Sequence, residues 1–320
     1  MMKAIAYEKF GGPEVLQIRE LEPPEKIGVH EVLVHVKAAG INPVDWRIRN
    51  GQYKALLFFK NKPFVPGSDI AGLVVKCGPG VVEFKEGDEV YGMLNPLSGG
   101  AYEEFSKVSI KHLTKKPANL SFEEAAAVPL AALTALQALR DKAHIKSGQK
   151  ILINGASGGV GTFAVQIGKI YGAHVTGVCS NNNMALVRDL GADEVIDYKT
   201  QDFTQINGSY DIIFDTVGNR PFRSCENVLS KHGVHVTTLP DSKTFLNIAR
   251  TVLGKGKKAK ALIVRSDRND LNQIREWIEA GRMRPVISKV YPLEDVVQAH
   301  VDSQSHHASG KLVLRINEVA

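Results

Sequence analysis

Short apolar runs alternate with longer segments of helical periodicity in the second half of the chain. The helical segments extend to about residues 171, 190 and 229, and the apolar runs cover residues 150–154, 175–179, 194–197, 210–215, 234–239 and 260–265. Apolar strands that are spaced by helices predict a parallel sheet with both faces covered. Six such strands predict a Rossmann domain, the doubly wound α/β fold.

The first 120 residues have a different pattern, in which shorter strand-like runs are broken by glycines and prolines. The clearest runs cover residues 31–36, 70–75 and 89–94. Glycine accepts positive φ and proline fixes φ, so clusters of the two residues mark turns. This part of the chain is predicted to be a compact β-rich domain.

The pattern changes at Ser121, which is followed three residues later by Glu124 and then by the alanine-rich run 125–139. This spacing is a capping box and predicts the start of a helical region. After a predicted helix at about 269–280, the strand-like pattern returns at 286–290 and 311–316. We expect this tail to fold back onto the N-terminal domain.

A glycine-rich turn joins the apolar run 150–154 to the helical pattern that follows it. The turn contains Gly155, Ser157, Gly158, Gly159 and Val160 before Gly161. Glycines let the backbone approach a pyrophosphate, and the amides and dipole of the following helix favour negative charge. The strand, turn and helix together predict a dinucleotide site.

The residues after the second strand of this domain indicate which dinucleotide binds. An Asp or Glu there would bond the ribose 2′-hydroxyl of NAD and repel a 2′-phosphate. Residues 179–183 contain no acid and instead offer Ser180 and Asn183. We therefore predict NADPH as the cofactor, although these asparagines can also cap the next helix.

Composition and charge exclude several classes of protein. The 320-residue chain is 43% hydrophobic and 23% charged, with a formal net charge of +6. No apolar stretch is long enough to span a membrane, and the start lacks the apolar core of a secretory signal, so a cytoplasmic protein is expected. The basic run 255–260 is predicted to be a solvated loop, and nucleic-acid binding is not expected.

The three cysteines, Cys77, Cys179 and Cys225, are isolated in the sequence. None of them lies in a spacing that would build a zinc site. The sequence therefore predicts no disulfide and no metal site.

Six segments in one order resemble the zinc-free quinone oxidoreductase (zeta-crystallin-like) branch of the medium-chain dehydrogenase/reductase superfamily. They are residues 11–16, 38–45, 66–72, 155–161, 190–193 and 309–314. Zinc-dependent members carry a ligand Cys and a His-Glu pair where this chain has residues 42–45 and 68–69.

The resemblance implies an N-terminal GroES-like catalytic domain over residues 1–122 and 267–320 and a Rossmann NADP-binding domain over 123–266. It also implies a homodimer. It places Asn42 near the nicotinamide, in a positioning role. The other cofactor residues it implies are Thr134, Gly158, Gly159, Val160, Ser180, Tyr198, Val217, Leu239 and Lys311. Asn42 could instead be a turn residue, and the only role of Lys311 could be to pair with a carboxylate on the surface.

A site without a metal suits acceptors that become delocalised anions when they receive hydride. Quinones and α,β-unsaturated carbonyls meet this condition, because one or two hydrogen bonds stabilise the resulting oxyanion. Tyr53 is the candidate proton donor, water is the alternative, and Asp45 is a lesser candidate. The predicted function is an NADPH-dependent quinone or enone reductase. The alternatives are a 2-enoyl-thioester reductase and a non-catalytic NADPH-binding structural or RNA-binding protein.

Overall fold

The computed structural model describes residues 1–57, 63–206, 208–252, 254–305 and 308–316. None of the helices in these ranges has the length and apolar character to cross a membrane. The strands, in chain order, are β1 (Met2–Ala6), β2 (Gln17–Leu21), β3 (Glu31–Ile41), β4 (Asp69–Cys77), β5 (Glu89–Met93), β6 (Phe105–Ser109), β7 (Leu113–Lys115), β8 (Lys150–Asn154), β9 (His174–Cys179), β10 (Glu194–Asp197), β11 (Tyr210–Asp215), β12 (Leu229–Thr237), β13 (Lys258–Ala261), β14 (Ile287–Pro292) and β15 (Lys311–Arg315).

The helices differ widely in length, and several are single turns. They are α1 (Pro43–Arg49), α2 (Lys54–Leu57), α3 (Phe122–Ala126), α4 (Pro129–Gln137), α5 (Gly159–Ile170), α6 (Met184–Asp189), α7 (Phe222–Cys225), α8 (Ser242–Val252), α9 (Arg268–Glu279) and α10 (Val296–Gln304). A π-helical turn, Ala138–Lys142, continues α4.

The chain divides into two compact units. The first consists of Met1–Leu130, Ser266–Gly281 and Pro285–Ala320, and the second of Ala131–Arg265 and Arg282–Arg284. Helix α3 lies in the first unit because it packs on β3 and β4. That unit therefore extends beyond the predicted limit at residue 122.

The main sheet of the first unit is built around β3. Its strand order is β14-β15-β3-β4-β5-β7, and β6 also pairs with β3. Strand β15 is antiparallel to β3, with Leu312 opposite Ile41. The C-terminal strand β15 therefore completes a sheet whose other members are mostly N-terminal. Alternate side chains along the first half of β3 point into the hydrophobic core of this unit.

The sheet of the second unit is parallel, with the strand order β10-β9-β8-β11-β12-β13. From β8 the chain moves outward through β9 and β10, then returns to the other side of β8 with β11. The point between β8 and β11 is the topological switch point, where ligands bind in folds of this type. The predicted Rossmann architecture and its six strands are confirmed.

Two predicted elements have different limits in the structure. The alanine-rich run is not one helix, because it is interrupted between α3 and α4, where Pro129 lacks the amide hydrogen that a continuous helix needs. The capping box is present: Ser121 Oγ accepts from the Glu124 amide at 3.1 Å, and the Glu124 carboxylate accepts from the Ser121 amide at 2.8 Å. The predicted helix ending at residue 229 is only α7 and a 3₁₀ turn, since β12 already begins at Leu229.

The basic run at 255–260 is not simply a solvated loop. Its second half forms the edge strand β13, which begins before the predicted strand 260–265. The Lys258 ammonium group donates to the carbonyl oxygens of Thr251 at 2.6 Å and Val252 at 3.0 Å, and so caps the end of α8. The Lys257 and Lys260 ammonium groups also bond backbone carbonyls. These contacts hold three of the ammonium groups of the run against the backbone.

Two buried glutamines fix the segments where the chain enters or leaves the second unit. The Gln137 side chain accepts from the Arg265 amide at 3.1 Å and donates to the Arg265 carbonyl at 2.9 Å. Gln166 makes the same pair of bonds with the backbone of Arg284, at 2.8 and 3.0 Å. A primary amide can satisfy a backbone donor and acceptor together, which explains this choice of side chain.

Candidate functional site

The glycine turn lies between β8 and α5, at the switch point of the second unit. Gly155 has a φ of +83°, which favours glycine. The amides of Gly155 and Ala156 both donate to the carbonyl of Val178, at 3.1 and 2.9 Å, and so attach the turn to β9. Gly158 is the N-cap of α5, and no side chain among the described residues caps that helix. Its first amides therefore point outward from the turn, as an anion site requires.

Steric crowding accounts for two of the glycines. A Cβ on Gly161 would lie 2.0 Å from the Gly155 carbonyl oxygen, and a Cβ on Gly155 would lie 2.6 Å from Val217 Cγ2. A Cβ on Gly158 would come no closer than 3.4 Å to the same carbonyl oxygen. Gly155 and Gly161 are therefore required by packing, whereas the packing leaves space at Gly158 for a ligand or a side chain.

Three of the predicted cofactor residues lie together beside this turn. Asn183 Nδ2 donates to Ser157 Oγ at 3.2 Å and to Ser180 Oγ at 3.4 Å. Asn183 occupies the N-cap position of α6, but its side chain does not cap that helix. The expectation that this asparagine serves as a helix cap is therefore wrong for its side chain, which faces the serines.

The remaining predicted residues of this unit lie on the same edge of the sheet or on α4. The half-exposed Tyr198 donates its amide to the Cys179 carbonyl at the end of β9, at 3.1 Å. Val217 is 45% exposed beside Gly155, and Leu239 lies close to Gly218 in the same region. Thr134 is buried in α4. Their cofactor contacts stay predictions.

In the first unit, Asn42 lies between a buried cation and a buried anion. Its Nδ2 donates to Asp69 Oδ2 at 2.9 Å, and its Oδ1 accepts from the Lys311 ammonium. Lys311 is 4% exposed and also donates to the Ile41 carbonyl at 3.1 Å. Asp69 in turn accepts from the Leu130 amide at 2.8 Å. The suggestion that Lys311 only pairs with a carboxylate on the surface is wrong, because the pair is buried.

Asp45 is the centre of a second set of buried hydrogen bonds in the same unit. Its Oδ2 accepts from the Asn42 amide at 2.8 Å and from the Tyr102 hydroxyl at 3.0 Å, and its Oδ1 accepts from Ser68 at 3.4 Å. Burial raises the pKa of Asp45 to about 7, and the nearby Asp69 carboxylate adds to the rise. The bond that the Asn42 amide donates to Asp45 is part of the capping box at the start of α1, so Asn42 is the N-cap before Pro43.

A buried histidine, His300, lies next to Tyr102. The Tyr102 ring packs edge-on against His300, with the centroids 5.9 Å apart, and the Arg49 guanidinium donates to His300 Nδ1 at 2.9 Å. Burial and the Arg49 charge lower the pKa of His300 to about 3. His300 is therefore neutral at physiological pH and is not a source of protons.

Tyr53 lies in the turn before α2 and is half-buried. The Arg47 guanidinium donates to its phenolic oxygen, while burial lowers the pKa of Arg47. No hydrogen bond joins Tyr53 to Asn42 in the part of the chain that the structure describes. The proton-donor role of Tyr53 stays a prediction.

Asp69 and Tyr102 were not predicted as site residues. Asp69 was noted within the segment 66–72 and at the position where zinc-dependent members carry the Glu of a His-Glu pair, but nothing in the neighbouring sequence marks it as the partner of Lys311. Tyr102 follows Gly99 and Gly100 in a stretch without a recognisable motif.

Comparisons with known proteins agree with the fold of the two units. Residues 28–118 match the alcohol dehydrogenase GroES-like domain, and residues 190–314 match the zinc-binding dehydrogenase family. The chain is 35% identical to a chloroplast envelope quinone oxidoreductase homolog of Arabidopsis thaliana, with 98% of each chain covered. The chain belongs to the quinone oxidoreductase branch of the medium-chain dehydrogenase/reductase superfamily. The predicted resemblance is thereby confirmed, as is the expectation of an oxidoreductase enzyme.

Two further relatives support this assignment. The chain is 34% identical to an NADPH-dependent alkenal/one oxidoreductase, chloroplastic, of Arabidopsis thaliana, covering 98% of this chain and 79% of that protein. The quinone oxidoreductase of Coxiella burnetii has a similar structure, with a TM-score of 0.91, 31% identity and 99% of each chain covered. The combination of a GroES-like and a Rossmann domain is confirmed. The cytoplasmic location stays a prediction, because the two Arabidopsis relatives are named as chloroplast proteins.

One matching family is named for zinc binding. Among the described residues, no group of three or more His, Cys, Asp and Glu side chains is placed to hold a metal ion. The predicted absence of a zinc site stays a prediction, which a chelation experiment can test.

Proposed function

We propose that the protein is an NADPH-dependent reductase that transfers hydride to quinones or α,β-unsaturated carbonyls without a metal ion. The observation that carries this proposal is the glycine turn of the second unit. The uncapped start of α5 lies on one side of the turn, and the cluster of Ser157, Ser180 and Asn183 lies on the other. The names of the relatives support the same class of reaction.

The residues at the turn fit a reduced dinucleotide. The backbone amides at the start of α5 would hold the pyrophosphate, and the space at Gly158 permits its close approach. The hydroxyl and amide groups of the serine and asparagine cluster suit a 2′-phosphate, and residues 179–183 contain no carboxylate to repel it. When bound, the cofactor supplies the hydride, and the protein supplies orientation, a dry environment and hydrogen-bond donors.

We assign the proton transfer to Tyr53 and a positioning role to Asn42. Reduction of an enone or quinone forms an oxyanion that must be stabilised and a carbon or oxygen that must be protonated. The Arg47 guanidinium donates to the Tyr53 phenolic oxygen and so helps to fix the position of the phenol.

NADPH oxidation with a panel of acceptors tests the proposed activity. A naphthoquinone and a short alkenal are expected to be reduced, and a crotonyl thioester is expected to be a poor substrate. NADH should support slower turnover than NADPH, and prior treatment with EDTA should leave the rate unchanged. Turnover of the thioester alone would favour the 2-enoyl-thioester reductase, and loss of activity after chelation would contradict the metal-free proposal.

The Tyr53→Phe variant tests the proton donor. It removes the phenolic proton and retains the ring, so kcat is expected to fall by about 10²-fold with little change in the Kd for NADPH. Arg47→Lys serves as the companion variant, because it keeps a cation near Tyr53 and should retain more activity. Unchanged kcat in Tyr53→Phe would assign the protonation to water.

We also propose that the protein forms a homodimer, as the resemblance implies. Light scattering coupled to size-exclusion chromatography is expected to give about twice the chain mass of 34.9 kDa. A single-chain mass at micromolar concentration would contradict this proposal.

A further inference from the structure

A buried carboxylate at the end of β11 organises the loop that follows it. Asp215 is 1% exposed. Its Oδ1 accepts from the amides of Val217 at 3.1 Å and Gly218 at 2.9 Å, and its Oδ2 accepts from the amide of Arg220 at 3.1 Å. One side chain therefore binds three of the backbone donors of residues 216–220.

Two more buried side chains hold the same loop. Asn154 lies opposite Asp215 in the β8–β11 pair, and its Nδ2 donates to Asp215 Oδ1 and to Asn219 Oδ1, both at 2.9 Å. His235 Nε2 donates to the Arg220 carbonyl at 2.9 Å. Burial lowers the pKa of His235, so the ring is neutral, and the carbonyl partner assigns its proton to Nε2. The loop is thus fixed at its start, its middle and its end.

This loop lies directly against the glycine turn. Thr216 Oγ1 donates to the Asn154 carbonyl at 2.8 Å, and the position of a Cβ on Gly155 is 2.6 Å from both Thr216 Oγ1 and Val217 Cγ2. Strand β11 pairs with β8 on the side opposite β9, and Ser180 directly follows β9. The loop therefore lies across the switch point from the serine and asparagine cluster.

The hydrogen bonds to Asp215 determine what the loop can offer a ligand. The amides of Val217, Gly218 and Arg220 are occupied, so they do not grip a phosphate group. The loop can present the carbonyl oxygens of residues 216–219 and the exposed Val217 side chain, which suit ribose hydroxyls and an uncharged ring.

We propose that Asp215 is a positioning residue that holds residues 216–220 as the wall contacting the nicotinamide nucleoside half of the dinucleotide. This inference rests on the proposed function, and it adds a specific residue and a specific part of the cofactor. The adenosine half then lies toward Ser180, as expected for a dinucleotide that crosses a switch point between two mononucleotide-binding halves.

Binding of a whole and a partial nucleotide tests the proposal. Titration calorimetry would measure the Kd of NADPH and of adenosine 2′,5′-bisphosphate, which lacks the nicotinamide half, for the wild type, Asp215→Ala and Asp215→Asn. If the wild type binds NADH more tightly than NADPH, the two nucleotides titrated are NADH and ADP. Asp211→Ala is the matched control. Asp211 lies near the other end of β11 and accepts from the Lys150 amide and from Ser230 Oγ, both at 3.0 Å.

We expect Asp215→Ala to raise the Kd of NADPH at least about tenfold and that of the bisphosphate less than about twofold. Asp215→Asn should be intermediate, because it keeps one acceptor oxygen but turns an N–H toward the Arg220 amide. Asp211→Ala should leave both Kd values unchanged, although it can lower the melting temperature.

An equal loss of affinity for both nucleotides would overturn the proposal, because it would show damage to the turn itself. An unchanged Kd for NADPH in Asp215→Ala would also overturn it. If Asp215→Ala does not fold, amide hydrogen exchange is measured in the nucleotide-free wild type. Slow exchange of the Val217 and Gly218 amides is expected, and fast exchange of both would contradict the proposal that Asp215 holds the loop. A wild type that binds neither NADPH nor NADH would instead contradict the proposed function.

Discussion

The Asn42 side chain is held in one orientation by opposite charges at its two ends. The Lys311 ammonium lies at Oδ1 and the Asp69 carboxylate at Nδ2. If the amide were turned over, its NH2 group would face the ammonium and its oxygen would face the carboxylate. This arrangement needs all three residues, because a buried charge without its partner is strongly unfavourable. A buried ion pair here specifies a conformation rather than adding much stability.

Replacing Lys311 by Met should destabilise the first unit. The substitution leaves Asp69 buried without its cation, and the expected loss is about 3–5 kcal/mol in the free energy of unfolding, measured in urea. Lys169→Met is the control, since the Lys169–Asp193 pair is partly exposed and should be worth less than about 1 kcal/mol. The double variant Lys311→Met/Asp69→Asn should recover part of the loss. Equal losses in Lys311→Met and the control would contradict this interpretation.

The raised pKa of Asp45 predicts a pH dependence of stability. Burial raises its folded pKa from 3.8 to about 7, so between about pH 4 and pH 7 the folded state holds a proton that the unfolded state has released. Its contribution to stability therefore falls as the pH rises through this window, by up to about 4 kcal/mol. Asp45→Asn keeps an acceptor for Tyr102 but cannot ionise, so its urea midpoint should fall less than that of the wild type between pH 4 and pH 7. Parallel curves would show that Asp45 is not the group responsible.

The glycine turn could be predicted from the sequence, whereas the hydrogen bonds among Asn42, Asp69 and Lys311 could not. The glycines act through local conformation and lie within one short segment, so their spacing carries the information. Lys311 and Asn42 are 269 residues apart, and only the sheet pairing of β15 with β3 brings them together. Nothing in the residues next to Lys311 distinguishes this buried lysine from one at the surface.

Helix α5 packs closely on the turn before it. The Gly161 backbone approaches the Gly155 carbonyl and leaves no space for a methyl group. The atoms that a methyl group would meet at Gly161 belong to the backbone, so they cannot move aside as the end of a long side chain could.

Alanine substitutions at two glycines should separate packing from ligand approach. Gly161→Ala should lower the free energy of unfolding by about 1–3 kcal/mol and weaken NADPH binding, because the new Cβ forces the helix away from the turn. Gly158→Ala should leave the melting temperature close to that of the wild type, since its Cβ meets only an ordinary contact, and yet weaken NADPH binding. A stable Gly161→Ala variant with wild-type affinity would contradict the packing argument.

The strands were easier to predict than the breaks between helices. β8, β10 and β11 have the predicted limits because short apolar runs between turn residues are clear signals. The division of the alanine-rich run was missed, since alanine favours a helix on both sides of Pro129. β13 was placed too late in the sequence because its lysines conceal a strand, and those lysines are tolerated at a sheet edge.

The two units differ in how their chain segments are gathered. The sheet of the second unit draws its strands from one continuous stretch of sequence, β8 to β13, whereas the sheet of the first unit needs β14 and β15 from the end of the chain. The separation in sequence could be anticipated from the strand-like tail, but the position of β15 between β14 and β3 could not, because strand order depends on pairing rather than on local pattern.

Deletion of residues 311–320 should therefore affect the two units unequally. It removes β15 from the interior of a sheet, exposing an edge of β3 and leaving β14 without a neighbour. Limited proteolysis is expected to degrade the first unit and to spare a fragment corresponding to the second. Equal resistance of the two units in the shortened protein would show that β15 is dispensable.

The late position of β15 also has a consequence for synthesis on the ribosome. Strand β3 leaves the exit tunnel long before its neighbour Leu312 exists, and about 270 further residues must be added first, which takes roughly 10 to 60 s at ordinary rates of translation. Through that interval one border of the nascent sheet has unpaired amides and carbonyls beside apolar side chains. A chaperone that binds extended peptides would protect this border most effectively if it stayed attached until β15 had been synthesised.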